Sequence, residues 1–243
     1  KKSKPDIVLV RYWLPFMGPC LGTILRRIKS NGHTRIICLT DNILPHEKRI
    51  GDKPFTRYFV KPVDAFVTMS KSVMEDVKLF APGKPVTQSS LPVLDNFGEA
   101  VSKEQAREWL GTGPAGKLLL FFGFIRKYKG LDMLIDALAV INQQQPGNDI
   151  KLLISGEFYD DRKSYDEQIA RLGLSDQVII HSEFIAGNDV KYHFCASDVV
   201  IQPYRDATQS GVTPLAFHFE IPMIVTNVGG LPSFVSHNKT GLI

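Results

Sequence analysis

Short apolar segments alternate with amphipathic ones along most of the chain. The apolar segments are rich in β-branched and other aliphatic side chains, as is typical of strands buried on both faces of a parallel sheet. Eight strands are predicted, at residues 7–10, 35–39, 65–68, 118–122, 150–154, 178–180, 199–201 and 223–225. Residues 131–144 place Leu134, Ile135, Leu138 and Ile141 on one helical face. Alternating strands and helices predict an α/β protein with doubly wound parallel sheets.

A stretch rich in proline and glycine interrupts this alternation. It contains Pro85, Pro92, Gly98, a helical segment over residues 103–110 and a glycine-rich turn that ends at Gly116. Because proline and glycine interrupt regular elements, we predict two domains with a boundary near residue 100, at residues 1–100 and 101–243. The first carries only three predicted strands, fewer than a complete Rossmann-like domain, so it is expected to be incomplete. The second is expected to be nearly whole but truncated at its C-terminus.

The composition is that of an ordinary globular protein with a small basic excess. The formal charge of +4 suits an anionic small substrate or membrane surface, and it is too weak and scattered to indicate nucleic acid. No apolar run reaches the roughly 18 residues of a transmembrane helix, and residues 7–10 are too short for a signal-peptide core. We therefore expect a cytoplasmic protein, with peripheral contact at the inner face of the membrane left open. Because the chain begins with Lys1, we expect it to be a piece of a longer protein.

The cysteines and most of the histidines suggest no chemistry. Cys20, Cys38 and Cys195 are widely separated, and no pair has the spacing of metal ligands. We predict buried free thiols and no metal site. Loop or helix-surface positions are predicted for five histidines, His33, His181, His193, His218 and His237.

Two cationic residues follow the predicted strand 118–122. Gly123 permits a sharp exit from the strand, Arg126 offers a planar guanidinium for phosphate oxygens, and Lys129 adds a point charge. In open α/β sheets, ligands bind at the carboxyl ends of strands. This loop is therefore a candidate diphosphate site, the alternative being that both cations are solvated surface charges.

A second candidate phosphate site follows the strand 199–201. It consists of Gln209, Ser210, Gly211, Val212 and Thr213, which lead into a predicted helix. Either Ser210 or Thr213 is expected to cap this helix, and Thr213 would place Pro214 at the first helical position. A helix N-terminus presents unpaired N–H groups and a positive dipole to an anion. The alternative is a capped helix without a ligand.

Two common nucleotide-binding motifs are absent from the sequence. It contains neither Gly-x-Gly-x-x-Gly nor Gly-x-x-x-x-Gly-Lys-Ser/Thr, which disfavours NAD binding and P-loop NTPase activity. A third turn, Gly229-Gly230-Leu231-Pro232, follows the strand 223–225 but is a weak signal by itself.

Taken together, these motifs resemble family 4 glycosyltransferases, the glycosyl transferases group 1. The resemblance runs from about residue 117 to the end, with the motifs in the family's order: Gly123 with Arg126 and Lys129-Gly130, Ser155-Gly156-Glu157, Phe184, Gln202-Pro203-Tyr204, and residues 222–232. Residues 40–48 and 67–72 resemble the second half of the family's N-terminal domain. The resemblance implies the GT-B architecture of two Rossmann-like domains, the first of them on the acceptor side and incomplete here.

The resemblance also implies an activity. It is the metal-independent transfer of a sugar from a nucleoside diphosphate sugar to a glycan or lipid-linked acceptor, with retention of configuration and no further cofactor. Arg126 and Lys129 would hold the diphosphate and stabilise the departing nucleotide, whose negative charge grows in the transition state. Glu157 and residues 209–213 would line the donor site, with Phe184 and Ile185 facing the base.

The sequence departs from the family at a pair of glutamates. The family usually has two glutamates eight residues apart, one near the transferred sugar and the other near the ribose. Ala207 and Leu215 stand at those positions here, and Gln209 is a candidate for an uncharged replacement contact. Altered donor choice or weak activity stays open as a consequence of this loss.

Asp41 and His46 are the candidate catalytic residues of the N-terminal domain. Family members commonly have a histidine after the strand that corresponds to residues 36–39, and Asp41 is the nearest match here. Asp41 is a candidate acceptor contact or base. His46 either approaches the cleft or caps a helix begun by Pro45.

Two other functions stay open. A GT-B-shaped sugar-nucleotide epimerase would require a carboxylate acid/base pair in the cleft. A non-catalytic sugar-nucleotide-binding scaffold protein is favoured by the missing glutamates and disfavoured by Arg126, Lys129 and Gly211.

Overall fold

The computed structural model describes residues 4–45, 50–89, 96–113 and 116–243. Contacts divide the chain into two compact units, Lys1–Leu91 (unit 1) and Pro92–Ile243 (unit 2). The sequence had placed this division near residue 100.

Unit 1 contains a parallel sheet whose strands lie in the order in which they occur in the chain. The strands are β1 (Ile7–Tyr12), β2 (Arg35–Thr40), β3 (Ala65–Thr68) and β4 (Val86–Gln88), and the helices between them are α1 (Gly18–Lys29), α2 (Asp52–Val60) and α3 (Lys71–Phe80). When right-handed crossovers all advance in the same direction, their helices lie on one face of the sheet. The described part of unit 1 has this arrangement.

The core of unit 1 lies between that face of the sheet and the three helices. Alternate strand residues enter it, among them Tyr12, Ile36, Cys38 and Phe66. Helix residues that pack against these are Leu25, Phe59, Val60, Val73 and Val77. On the opposite face of β1, Ile7 and Leu9 are exposed.

Unit 2 contains a six-stranded parallel sheet in the order β7-β6-β5-β8-β9-β10. Its strands are β5 (Lys117–Phe122), β6 (Ile150–Ser155), β7 (Val178–His181), β8 (Val199–Gln202), β9 (Met223–Val225) and β10 (Gly241–Leu242). Its helices are α4 (Lys103–Leu110), α5 (Leu131–Gln144), α6 (Arg162–Arg171), α7 (Val190–Ala196) and α8 (Val212–His218). Counted from its first strand, this is the order 3-2-1-4-5-6 of Rossmann-like dinucleotide-binding domains.

Unit 2 has a hydrophobic core on each face of its sheet. Leu118 and Leu120 of β5 belong to one core, together with residues of α4, α7 and α8. Phe121, which points to the other face, belongs to the second core with residues of α5 and α6. Successive strand residues point to opposite faces, so apolar residues at nearly every position of β5 supply both cores.

The structure corrects two expectations about single residues. Cys38 and Cys195 are buried, but Cys20 is exposed, because it lies on the outward side of α1. His193, expected at a surface, is buried in α7. Among the described residues, no helix has both the length and the apolar character needed to cross a membrane.

Candidate functional site

The two central strands of unit 2 mark the point at which its sheet changes direction. From β5 the chain continues to β6 on one side, whereas from β8 it continues to β9 on the other. The loops that follow β5 and β8 therefore diverge and leave a crevice at the carboxyl edge of the sheet. This is the usual ligand position in open α/β sheets.

A cavity of about 550 Å³ occupies this position. Its walls come from the loops after β5, β6, β7 and β8, and from the start of α8. The lining residues are Phe97, Phe122, Gly123, Phe124, Tyr128, Lys129, Gly156, Glu157, Phe184, Ile185, Gly187, Val190, Tyr204, Gln209, Ser210, Gly211, Val212 and Leu215. Its size and mostly apolar lining, with a few polar groups, are typical of a small-molecule site.

Backbone hydrogen bonds hold the loops after β5 and β6 together beyond the edge of the sheet. The Gly123 N–H donates to the Ser155 carbonyl at 2.8 Å, and the Ile125 N–H donates to the Glu157 carbonyl at 2.8 Å. Gly156, with a φ of 136°, lies so close to Gly123 that a Cβ there would be 2.4 Å from the Gly123 carbonyl oxygen. This wall of the cavity is therefore rigid backbone that only glycine can form.

Lys129 brings a buried positive charge to the cavity. It ends a short 3₁₀ turn between β5 and α5, and 8% of its surface is exposed. Among the described residues, none forms a hydrogen bond or an ion pair with its ammonium group. The ring of Tyr204 lies 5.5 Å from Nζ. Burial, and secondarily the charge of Arg126, lowers the pKa of Lys129 to about 8. A buried ammonium without a counter-ion is suited to an anionic ligand.

A network of buried side chains fixes the loop after β8. Gln202 Nε2 donates to Ser210 Oγ at 3.2 Å, and Thr213 Oγ1 donates to Gln202 Oε1 at 3.1 Å. Ser210 Oγ also accepts the Val212 N–H, so Ser210 takes up one of the free N–H groups at the start of α8. The expectation that Ser210 or Thr213 is the N-cap is wrong, because α8 begins at Val212 and Gly211 is its N-cap. Ser210 lies one residue earlier, and the Thr213 hydroxyl donates to Gln202 from inside the helix.

A buried histidine supports the loop after β6. His193 Nδ1 lies 2.8 Å from Ser155 Oγ, and burial lowers the pKa of His193 to about 4. The ring is therefore neutral at physiological pH, which makes it a fixed support directly before Gly156.

The structure brings most of the predicted donor-site residues together. The cavity is lined by nine of them, Gly123, Lys129, Glu157, Phe184, Ile185, Gln209, Ser210, Gly211 and Val212. Two others lie outside the lining. The Arg126 guanidinium stacks over the Tyr159 ring at 4.7 Å, and Thr213 is buried in the Gln202 network. Their roles in donor binding stay predictions.

The two candidates from the N-terminal half lie in unit 1. Asp41 directly follows β2 and accepts hydrogen bonds from Arg11 Nε at 2.7 Å and Arg11 Nη2 at 3.2 Å. His46 lies outside the described residues. A catalytic role for either residue stays a prediction.

Sequence reasoning missed several apolar residues of the lining. Tyr128 lies between two predicted site residues, so its loop position could have indicated it. Phe97 and Val190 carry no local signal, because only the packing of unit 2 brings them to the cavity. Leu215, noted as a departure from the family, does line it.

The glycosyl transferases group 1 family matches residues 116–243, which include all five motifs and most of unit 2. The chain belongs to this family. The predicted fold class, two parallel-sheet α/β domains of the GT-B type, is confirmed by the two sheets and by the solved structures that the chain resembles.

Two curated glycosyltransferases are similar to part of the chain. A D-inositol 3-phosphate glycosyltransferase of Pseudarthrobacter chlorophenolicus is 29% identical over 141 residues, which cover 58% of this chain and 34% of the relative. The lipopolysaccharide core biosynthesis mannosyltransferase LpsB of Rhizobium meliloti is 27% identical over 154 residues, 60% of this chain and 42% of the relative. The chain thus matches less than half the length of either enzyme.

A solved structure matches nearly the whole chain. Anabaena Alr3699/HepE, in complex with UDP, is 18% identical and superimposes with a TM-score of 0.78, covering 98% of this chain and 64% of that one. At this identity the likeness concerns the fold.

Proposed function

We propose that the chain is the donor-binding part, with a portion of the acceptor part, of a retaining glycosyltransferase. The donor is a nucleoside diphosphate sugar, and the acceptor is a glycan or a lipid-linked sugar. One relative named above is a D-inositol 3-phosphate glycosyltransferase and the other is a mannosyltransferase of lipopolysaccharide core biosynthesis, which supports a hydroxyl acceptor without specifying it.

The observation that carries this proposal is the buried Lys129 ammonium beside the Gly123–Gly156 wall of the cavity. A diphosphate placed there would meet a positive charge at low local dielectric, where electrostatic attraction is stronger than in water. The apolar residues Phe184, Ile185 and Leu215 offer a separate surface to a nucleoside. The cavity thus has a polar end and an apolar end, as a nucleotide has.

The same geometry supports transfer chemistry without a metal. Cleavage of the bond between sugar and diphosphate leaves negative charge on the nucleotide, and Lys129 stabilises that charge more in the transition state than in the ground state. The positive charge that a divalent metal would supply comes here from a fixed side chain. Retention of configuration follows from the family resemblance.

A non-catalytic sugar-nucleotide binder is the second candidate. Among the described residues that line the cavity, Glu157 supplies the only carboxylate, while Ala207 is buried and Leu215 lines the cavity where the family usually has glutamates. The same shortage of carboxylates counts against an epimerase, which would need an acid/base pair.

Calorimetry and a transfer assay test the proposal. The protein is titrated with UDP-glucose and GDP-mannose in EDTA, then incubated with the bound donor and acceptors that include D-inositol 3-phosphate and glucose. We expect one donor to bind and its sugar to be transferred, with the anomeric configuration retained by NMR. Failure to bind either donor would contradict the proposal. Binding without transfer or hydrolysis would select the second candidate.

Nucleotide binding should weaken at alkaline pH. The pKa of Lys129 is about 8 in the free protein, so the ammonium is mostly protonated at pH 7 and mostly neutral at pH 9. Bound diphosphate favours the protonated form and raises its pKa, so affinity for UDP is full below pH 7 and falls as pH rises through 8. Isothermal titration between pH 7 and pH 10 measures this decline.

The Lys129→Met variant is the control for this titration. Its affinity should be low and nearly constant over the same pH range, because the titrating group is gone. A decline of equal size in the variant would assign the pH dependence to another group.

A further inference from the structure

The outward surface formed by α1 and α2 of unit 1 carries positive charge only. Arg26 and Arg27 lie in the last turn of α1, and Lys53 and Arg57 lie on α2. Within these two fully described helices the single acidic residue, Asp52, is buried. This surface, called the α1–α2 face, therefore concentrates much of the chain's basic excess.

The same face exposes large apolar side chains. Phe16, in the 3₁₀ turn that leads into α1, is 78% exposed, and Ile24 on α1 is 47% exposed. With Cys20 between them, these residues follow the i, i+4, i+8 spacing of one helical stripe, and exposed Arg27 ends it. Phe55 and Tyr58 of α2 are each 38% exposed.

Close packing makes the two helices a single platform. A Cβ on Gly18 of α1 would lie 2.6 Å from the Phe55 carbonyl oxygen, and one on Gly22 would lie 2.8 Å from the Tyr58 ring. The Arg26 guanidinium lies 3.6 Å from the centre of that ring and donates to the Tyr58 carbonyl. Aromatic and cationic groups are thus held in contact with each other at the surface.

Helix α3 of the same unit shows that this pattern is not general. Leu79 is also 78% exposed there, but Lys71 and Lys78 are balanced by Glu75 and Asp76, and Lys78 pairs with Glu75 at 2.9 Å. An exposed apolar residue without a net charge around it needs no partner. Apolar exposure and unbalanced positive charge coincide on the α1–α2 face.

We propose that the α1–α2 face docks on an anionic lipid bilayer. Aromatic and aliphatic side chains enter the headgroup region while arginine and lysine meet the acidic lipids, the two attractions that bind surface helices to membranes. Long cationic side chains can extend past apolar neighbours to reach the headgroups, and exposed Arg27 at the end of the apolar stripe is placed to do so. The inference rests on the proposed function in one respect, that a lipid-linked acceptor would be met at such a surface.

Vesicle flotation tests the docking. The protein is mixed with vesicles of phosphatidylcholine alone or with one third phosphatidylglycerol, at low and at 0.5 M salt. We expect binding to the anionic vesicles at low salt, and at least tenfold weaker binding to neutral vesicles or at high salt, because salt screens the attraction.

Matched variants locate the surface. The pairs Phe16→Ser with Ile24→Ser, and Arg27→Glu with Arg57→Glu, should each weaken binding to anionic vesicles at least tenfold. The controls Leu79→Ser and Lys78→Glu on α3 should leave it unchanged. Equal binding to both vesicle types, no binding, or equal losses in the α3 controls would overturn the proposal.

The affinity for UDP, measured by calorimetry on the same variants, separates this inference from the proposed function. It should stay unchanged in all four variants, since the donor cavity lies in unit 2. A variant that loses vesicle binding and keeps its UDP affinity would be impaired in docking alone. Vesicle binding by a protein that binds no nucleotide would leave the docking standing and contradict the transferase.

Discussion

Replacing Lys129 by methionine is expected to weaken UDP binding by about 1.5–3 kcal/mol, the usual range for hydrogen bonds to charged groups. This corresponds to roughly a 10- to 150-fold rise in Kd. The reason is that Lys129 is buried, faces the cavity and has no ion pair among the described residues, so its charge is available to a ligand. Isothermal titration at pH 7 measures the loss.

The same substitution should make the free protein more stable. Burial lowers the pKa of Lys129 from 10.5 to about 8, so the unfolded chain binds the proton more tightly. Stability therefore falls as pH drops from 10.5 to about 8, and the penalty is fully present below pH 8. Methionine removes that penalty, and the free energy of unfolding at pH 7 should rise by about 1–3 kcal/mol. Lys127→Met, two residues earlier in the same turn and exposed, should change neither quantity. Lower stability together with unchanged UDP affinity would show that Lys129 is only a structural residue.

Replacing Gly156 by alanine is expected to lower the free energy of unfolding by about 2–4 kcal/mol. Two costs add: a φ of 136° is strained for any residue with a Cβ, and the new methyl would lie 2.4 Å from the Gly123 carbonyl oxygen. The nearest atoms to this methyl are the backbone oxygen and carbon of Gly123, which cannot move away by rotation of a side chain. Urea denaturation of the variant and the unsubstituted protein measures this loss, and the slope m should be the same for both.

Gly173→Ala is the matched control for Gly156. Its φ is 67°, and a Cβ there would have no neighbour within 4 Å, so only the cost of the left-handed conformation applies, about 1 kcal/mol. The Gly156 variant should also lose UDP affinity, because the wall of the cavity must shift, whereas the Gly173 variant should keep it. Equal stability losses in the two variants would mean that the contact with Gly123 relaxes freely.

The sequence predicted the central strands of the fold because burial on both faces leaves a strong local signal. All eight predicted strands are present, and α4 and α5 have the predicted bounds. Two of the missed elements have weak signals. Strand β4 has three residues and directly follows Pro85, and α2 contains Pro54 in its first turn.

Site residues in the loop that follows a strand could be predicted from topology alone. Gly123 and Lys129 are examples, since the carboxyl ends of parallel strands share an edge. Thr213 was wrong as an N-cap because it lies inside α8, where its hydroxyl donates to Gln202, 11 residues earlier in the chain. His193 was misplaced because α7 has seven residues, too few for periodicity to show which side is buried. Such contacts depend on tertiary packing.

The strand orders of the two sheets have a consequence for synthesis of the chain. In unit 1 each strand pairs with the one made just before it, so the sheet can grow as the chain leaves the ribosome. In unit 2, β5 pairs with β6 on one side and with β8 on the other, where Leu119 is opposite Val199. The second pairing cannot form until β8 has been synthesised. Such non-local pairing slows folding and leaves a strand edge open to other chains in the meantime. We therefore expect the free edge of β5 to be the part of the nascent protein most in need of a chaperone.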